Sequence, residues 1–317
     1  MEWILTLWNG EEYRLPSPLY WRLEYGLGTP CDSFLLRCPY DGGEEEALAE
    51  ATRLTARWEG AVVFRGVVDE CQCCWDAEGG LLELSGRGLA ALLLDNEAQG
   101  ADFGTATLEE ILRRYVTPFG ISRGDNVRLP PVSGFSVQTG SSCWQVLYQF
   151  ARYHGGVAPR LDPQGRLMLS PLPQTESNTV LDGSLPVLKR VWRYQRYGVL
   201  SKVRVVNRVT LAAQDVVDDD FQRKGGCASR VLTVPRRTGF QTMRYSGRFQ
   251  LDKSKSRMKT ISLTLGAPFV AFPGELLRVN LTGWQVSGLW RVTEAVVEMD
   301  QDGYKTRLEL GAPEAVL

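Results

Sequence analysis

The sequence predicts an α+β protein in which antiparallel β structure dominates. The strongest signal lies in the last 45 residues, where three short strands are separated by glycine-containing turns at Gly283 and Gly303. Glycine tolerates the positive φ that such chain reversals need. The third strand has β-favouring residues at every second position, Tyr304, Thr306, Leu308 and Leu310, and charged residues at Lys305, Arg307 and Glu309. This alternation indicates a strand with one buried face and one solvent-exposed face.

Residues 1–98 also have a strand pattern. Short strands at this spacing, bounded by turn residues, predict a sheet that curls or closes into a barrel. Residues 1–98 are therefore predicted to form a first β domain. Its predicted strands are Trp3–Leu7, Ser33–Arg37, Arg53–Trp58, Ala61–Val68 and Leu81–Ser85.

Residues 99–185 are predicted to form a small α/β domain with two helices and a hairpin. The first helix begins after Thr107, which with Glu110 has the form of a capping box, and it ends before Pro118. The second helix is capped by Ser141 or Ser142 and ends at Gly155. The hairpin turns at Asp162–Gly165 and returns along Arg166–Leu169.

Residues 186–317 are predicted to form a second β domain, which follows a polar, proline-containing linker over residues 171–186. Val203, Val205 and Val209 alternate as in a strand. Periodicity is weaker from residue 212 to residue 250, and this region is expected to be an insertion or a long loop.

Composition places the chain among ordinary globular proteins. It has 317 residues, of which 44% are hydrophobic and 10% aromatic, enough for several packed cores. The apolar run Leu89–Leu94 is too short to cross a bilayer, and the start lacks the features of a signal peptide, so a cytoplasmically made product is expected. The seven cysteines are an odd number scattered along the chain, which favours reduced thiols.

Charge is distributed unevenly along the chain. The net charge is −1, yet residues 189–259 contain 18 Lys and Arg against 5 Asp. This basic span also contains Trp192, Tyr194 and Tyr197, so contact with phosphates or bases is one interpretation. The favoured interpretation is one face of strands whose charge complements an acidic partner or the acidic remainder of the same molecule. The candidate residues are Arg190, Arg193, Arg196, Lys202, Arg204, Arg208, Arg236, Arg237, Lys253, Lys255, Arg257 and Lys259.

Cys143 is the one candidate nucleophile, because a cysteine before a tryptophan at a helix start is typical of papain-like proteases. Such a thiol needs an imidazole base. The single histidine, His154, lies on the same predicted helix at a distance of roughly 16 Å, at about 1.5 Å per residue. A buried structural cysteine is the favoured interpretation, and no catalytic residue is predicted.

Metal and cofactor sites are not predicted either. Cys71 and Cys73 share a strand face while Cys74 faces away, and no second ligand pair has zinc spacing. Asp218–Asp220 lacks the glycine and distal glutamate of a calcium loop, so an acidic solvated loop is expected. Gly86-Arg87-Gly88 is not followed by the third glycine of the Gly-x-Gly-x-x-Gly pattern, so a dinucleotide-binding site is not predicted.

Several segments, in this order, resemble the tail hub proteins of contractile phages, particularly the shorter hubs of prophages and phage-tail-like particles of Gram-positive bacteria. The segments are Phe64–Asp69, Gly86–Asp95, Thr107–Ile111, Pro118–Ile121, Ser142–Leu147, Asp162–Leu167 and the C-terminal strands.

The resemblance implies two tail-tube-like β-barrels with a small α/β domain, assembled as a homotrimer. Such a trimer would join the six-fold tail tube to the three-fold central spike in the particle's baseplate, and would leave a channel through which DNA passes. The implied partners are other copies of the chain, the tube and spike proteins and further baseplate proteins, with a tape measure protein as an additional candidate and with no membrane and no cofactor. The family contributes no catalytic residues. In such a hub the basic residues would line the channel or face the spike or an acidic partner ring. The competing functions are a nucleic-acid-binding module that uses the 189–259 span and a cysteine hydrolase at Cys143.

Overall fold

The computed structural model describes residues 1–77, 79–234 and 239–314, except for the side chains of Tyr153, His154, Asn178 and Thr179. The chain divides into two compact units. The first contains residues 1–171, 265–273 and 294–307, and the second contains residues 172–264, 274–293 and the chain from residue 308 onward. The predicted class, α+β with mainly antiparallel strands, is confirmed. Closure of the sheets into barrels stays a prediction, and so do the domain boundaries.

The first unit begins with an antiparallel sheet whose strands alternate buried and exposed side chains. Its order is β2–β1–β5–β6–β7–β4–β3, and Glu294–Met299 of a later strand pair with β3. The elements are β1 (Glu2–Leu7), β2 (Glu12–Arg14), β3 (Tyr20–Gly26), β4 (Ser33–Pro39), α1 (Glu45–Ala49), β5 (Ala51–Trp58), β6 (Ala61–Asp76) and β7 (Gly79–Gly88).

The core of this sheet is aromatic. Trp3 of β1 and Trp21 of β3 are both buried, and their ring centroids lie 5.7 Å apart. Gly86 of β7 is required by close packing, because a Cβ there would lie 2.0 Å from the Val67 carbonyl oxygen and against the Phe34 ring. All five predicted strands lie within observed ones, whereas β3 was not predicted.

Residues 90–171 form a helical layer with its own apolar core. Thr107 caps α3 as predicted, but the Glu110 carboxylate accepts a bond from Arg114 at 2.9 Å instead of completing the capping box. Ser142 and Gln145 do form a full capping box at α4. The predicted hairpin pairs Leu161 with Leu167. The elements are α2 (Ala91–Leu94), β8 (Ala101–Ala106), α3 (Leu108–Tyr115), β9 (Val132–Val137), α4 (Cys143–Gln149), β10 (Arg160–Leu161) and β11 (Leu167–Met168), with a 3₁₀ turn at Thr117–Phe119 and a π-helical turn at Phe150–His154.

The second unit starts with a strand where a linker was predicted. Glu176–Asp182 pairs in parallel with Leu276–Asn280, which in turn pairs antiparallel with the next strand, as the C-terminal pattern predicted. The elements are β12 (Glu176–Asp182), β13 (Val187–Tyr194), β14 (Lys202–Asn207), β15 (Ala213–Val217), α5 (Asp219–Arg223), β16 (Ser229–Val234), α6 (Phe240–Lys255), β17 (Lys259–Leu265), β18 (Leu276–Asn280), β19 (Gly288–Asp300) and β20 (Gly303–Gly311).

A folded insertion occupies residues 200–255 of this unit. Its sheet has the order β15–β14–β16, and α6 packs on one face through Met243, Gly247 and Leu251. Gly247 allows close approach of helix and sheet, because a Cβ there would lie 2.6 Å from Val216 Cγ2. The region of weak periodicity is therefore a small α/β body with its own core and not a long loop.

Candidate functional site

The predicted basic residues lie in two parts of the second unit. The first group is on or beside β13 and β17, and the second is on the folded insertion. Arg236 and Arg237 lie outside the described residues. The first group contains Arg190, Arg193, Arg257 and Lys259, and the second contains Arg196, Lys202, Arg204, Arg208, Lys253 and Lys255.

Several cations of the insertion are already bound to carboxylates. Lys202 Nζ lies 2.6 Å from Asp215 Oδ2, and Arg204 Nη1 lies 3.9 Å from Asp215 Oδ1. The bond from Lys202 holds the pKa of Asp215 below its ordinary value. Lys255 pairs with Asp218. These contacts reduce the positive charge that the insertion offers to an external anion.

Asp218 has a structural role. It begins α5, and its Oδ1 accepts a bond from the Phe221 N–H at 3.1 Å. Burial raises the pKa of Asp218, but the bonds from Lys255 and Phe221 outweigh that effect and leave it below the ordinary value. Asp218–Asp220 is thus a helix start and not the solvated loop that was predicted. Arg196 completes this cluster by donating to the Lys224 carbonyl and lying 5.4 Å from the Phe221 ring centroid.

The β13 strand is a largely exposed part of the basic span. Leu188, Trp192 and Tyr194 share one strand face and are 63%, 48% and 43% exposed. The rings of Trp192 and Tyr194 stack with centroids 6.1 Å apart. Lys189 and Arg193 are exposed on the opposite face. The strand thus presents aromatic and cationic side chains together.

The backbone of β13 is open on one side. Within the described residues β13 pairs with β17 and with no other strand. Arg190 Nη1 donates to the Thr282 carbonyl at 3.1 Å, which ties the strand to the turn after β18. An edge strand offers its free N–H and C=O groups to a further strand.

A second open edge, which was not predicted from the sequence, lies at β2. Within the described part of the chain β2 pairs with β1 alone. Glu11 and Glu12 are exposed, and so are Tyr13 and Trp8. Trp8 Nε1 donates to Glu50 Oε2 at 3.0 Å. The sequence Asn9-Gly10 between these residues was an available hairpin signal.

Cys143 does not have the environment of a nucleophile. It lies at the start of α4, is 3% exposed, and its backbone N–H donates to the Asn96 carbonyl at 2.9 Å. Burial raises the pKa of its thiol, whereas a nucleophilic cysteine needs a lowered one. The side chain of His154 lies outside the described part. The position of Cys143 therefore supports the structural interpretation over the hydrolase hypothesis.

The cysteines of β6 face as predicted, with Cys71 and Cys73 half-buried on one side and Cys74 exposed on the other. Burial raises the pKa of Cys71 to about 11. Among the described residues no three His, Cys, Asp or Glu side chains are grouped to hold a metal ion. Nor is any described helix both long and apolar enough to span a bilayer.

The middle of the chain matches a known family. Residues 90–171 match the baseplate hub protein gp44-like family, second domain. The resemblance to tail hub proteins is confirmed. A comparison with curated proteins found no match. The helical layer with capped α3 and α4 is thus the part of the chain that carries the hub family's sequence pattern.

Solved structures extend the likeness to the whole chain at the level of the fold. A tail protein from Neisseria meningitidis MC58 is 17% identical, with 99% of this chain and 97% of that one covered and a TM-score of 0.78. The 43 kDa tail protein of prophage MuSo2 from Shewanella oneidensis is 18% identical, with 100% and 99% covered and a TM-score of 0.74. The E. coli c3393 protein, described as a component of the type VI secretion system, is 11% identical, with 93% and 73% covered and a TM-score of 0.58.

Proposed function

We propose that this chain is the structural hub of a contractile tail baseplate. In this role three copies form a ring that joins the six-fold tail tube to the three-fold central spike and leaves a channel for DNA. The observation that carries the proposal is the hub-family match over residues 90–171 within a chain whose whole length has a tail-protein fold. The protein would be located in the baseplate of the particle and would act by assembly and not by catalysis.

The two open edges support an assembly role. Exposed aromatic side chains next to unpaired strand backbone are unfavourable in an isolated soluble protein, because they promote contact with other chains. Both β13 and β2 have this combination. A ring with a tube above and a spike below would cover such surfaces.

The competing nucleic-acid function has less support. Its basic span is divided between β13 and the insertion, and Lys202, Arg204 and Lys255 are already in ion pairs. A phosphate-binding module needs free cations, and its affinity falls steeply with salt.

Co-purification tests the proposal against this competitor. The purified chain is mixed with the spike and tube proteins of the same particle, and separately with a DNA duplex at low and high salt. We expect stable complexes with the spike and tube proteins and only weak duplex binding. Salt-sensitive duplex binding by a chain that retains neither tail protein would contradict the hub function.

A further inference from the structure

We propose that the β13 edge of one copy pairs with the β2 edge of a neighbouring copy. This inference rests on the proposed ring and specifies its contact: two different edges of the same chain meet head to tail. Such a heterologous contact generates a closed ring when its rotation closes, whereas an isologous contact gives a two-fold dimer.

The first step is that β13 needs a cover. It is an eight-residue strand with one free edge in the described structure and with Leu188, Trp192 and Tyr194 exposed. Soluble proteins usually protect such edges by shortness, proline, bulges, charged side chains or a covering element. β13 is eight residues long and contains no proline, and its charged side chains are all cationic, so an acidic partner strand is the cover that it can accept.

The second step is that charge excludes a contact between two β13 strands. Lys189, Arg190 and Arg193 are all exposed on this strand, and it contains no acidic residue. A two-fold β13–β13 contact would place these cations near the same three cations of the second chain. Like charges across a strand pair are destabilising, so the partner edge should be acidic.

The third step is that β2 is the acidic edge with free carboxylates. Glu11 and Glu12 have no cationic partner in the described part of the chain, and Trp8 and Tyr13 lie beside them. Arg14, the one cation of β2, is bound to Glu2 at 3.2 Å, so the free charge of this edge is that of the two glutamates. β12 is also an open edge, but its Glu176 is bound by Arg278 through bonds of 2.6 and 2.7 Å. β2 therefore matches β13 in both charge and aromatic content.

Charge reversal tests the pairing. One variant combines Lys189→Glu with Arg193→Glu, and a second combines Glu11→Lys with Glu12→Lys. A third carries all four changes, so that the two edges are again complementary. Arg190 is left intact because it holds the Thr282 carbonyl. The control combines Arg208→Glu with Arg244→Glu, which makes the same charge change at exposed positions of the insertion.

Native mass is measured for each protein. We expect about 106 kDa, three times 35.4 kDa, for the wild type, the control and the variant with all four substitutions. We expect about 35 kDa for the two variants in which only one edge is reversed. The pairing is overturned, while the hub proposal stands, if a variant with only one reversed edge keeps the trimer mass. The same follows if the variant with all four substitutions stays monomeric. A wild type that is monomeric both alone and with the spike overturns the ring and the pairing together.

Amide hydrogen exchange of the wild type provides a second measurement if a variant fails to fold. In the native complex we expect the free-edge amides of β13 and β2 to be protected, and to lose that protection on dilution to monomer. Edge amides that exchange equally fast in both states would also overturn the pairing.

Discussion

Arg291 is expected to hold together three separate segments of the second unit. Its side chain is 1% exposed on β19. Nε donates to the Pro313 carbonyl at 2.8 Å, and Nη1 donates to the carbonyls of Pro173 and Gly274 at 2.9 and 2.7 Å. Burial lowers the pKa of the guanidinium. The chain before β12, the turn before β18 and the segment after β20 are thus joined at one buried cation.

The substitution Arg291→Met keeps most of the volume and removes all three donors. Each buried carbonyl left without a donor costs about 1–3 kcal/mol. Methionine is uncharged, so the substitution also removes the cost of burying the guanidinium, which offsets several kcal/mol of this loss. We expect a net loss of about 2–4 kcal/mol in the local opening free energy, which corresponds to roughly 30- to 1,000-fold faster amide exchange.

Hydrogen exchange at the adjacent amides measures this loss. The N–H of Gly274 bonds to the Val292 carbonyl, and the N–H of Val292 bonds to the Glu275 carbonyl, both at 2.9 Å. Arg278→Met is the matched control, because it makes the same side-chain change at a half-exposed position of β18, where water can replace the lost bonds to Glu176. If Arg291→Met exchanges at these amides no faster than the control, the three-segment role of Arg291 is wrong.

Two further predictions concern local packing and pH. Gly247→Ala should destabilise the insertion by about 1–3 kcal/mol despite the better helix propensity of alanine, because the added Cβ meets Val216 at 2.6 Å. Proteolysis of the insertion checks this, with Gly239→Ala, which meets open space, as the control; equal resistance would contradict it. Burial raises the pKa of Asp32 to about 6, against a bond from the Gly26 N–H that lowers it. The folded protein therefore loses stability as the pH rises from about 4 to about 6, because the buried Asp32 carboxyl group ionises over that range. Asp32→Asn should raise the melting temperature above pH 6 and leave it nearly unchanged near pH 4, and a gain that is equal at both pH values would contradict this reasoning.

Local signals were sufficient for the elements that depend on near neighbours in sequence. Alternation predicts β1, and the caps at Thr107 and Ser142 predict α3 and α4, because each signal involves residues within one element. The strand β3 was missed although Trp21, Leu23 and Tyr25 alternate with charged residues. This alternation is itself a strand signal, so β3 is predictable from the sequence alone.

Other parts depend on contacts between distant residues. β12 is a strand because it pairs with β18, about a hundred residues later, and its own polar sequence suggested a linker. α6 buries only a narrow stripe that includes Gly247, so its hydrophobic periodicity is weak. The basic and aromatic content of β13 was evident from the sequence. Its open edge, and the acidic edge at β2, depend on which strands are neighbours in the sheet.

The native mass of the purified chain, measured alone and with the spike protein of the same particle, tests the hub function most directly. The proposed ring predicts about 106 kDa for the chain alone, three times 35.4 kDa, or a complex of three hub and three spike chains. A strict monomer of about 35 kDa under both conditions would contradict it.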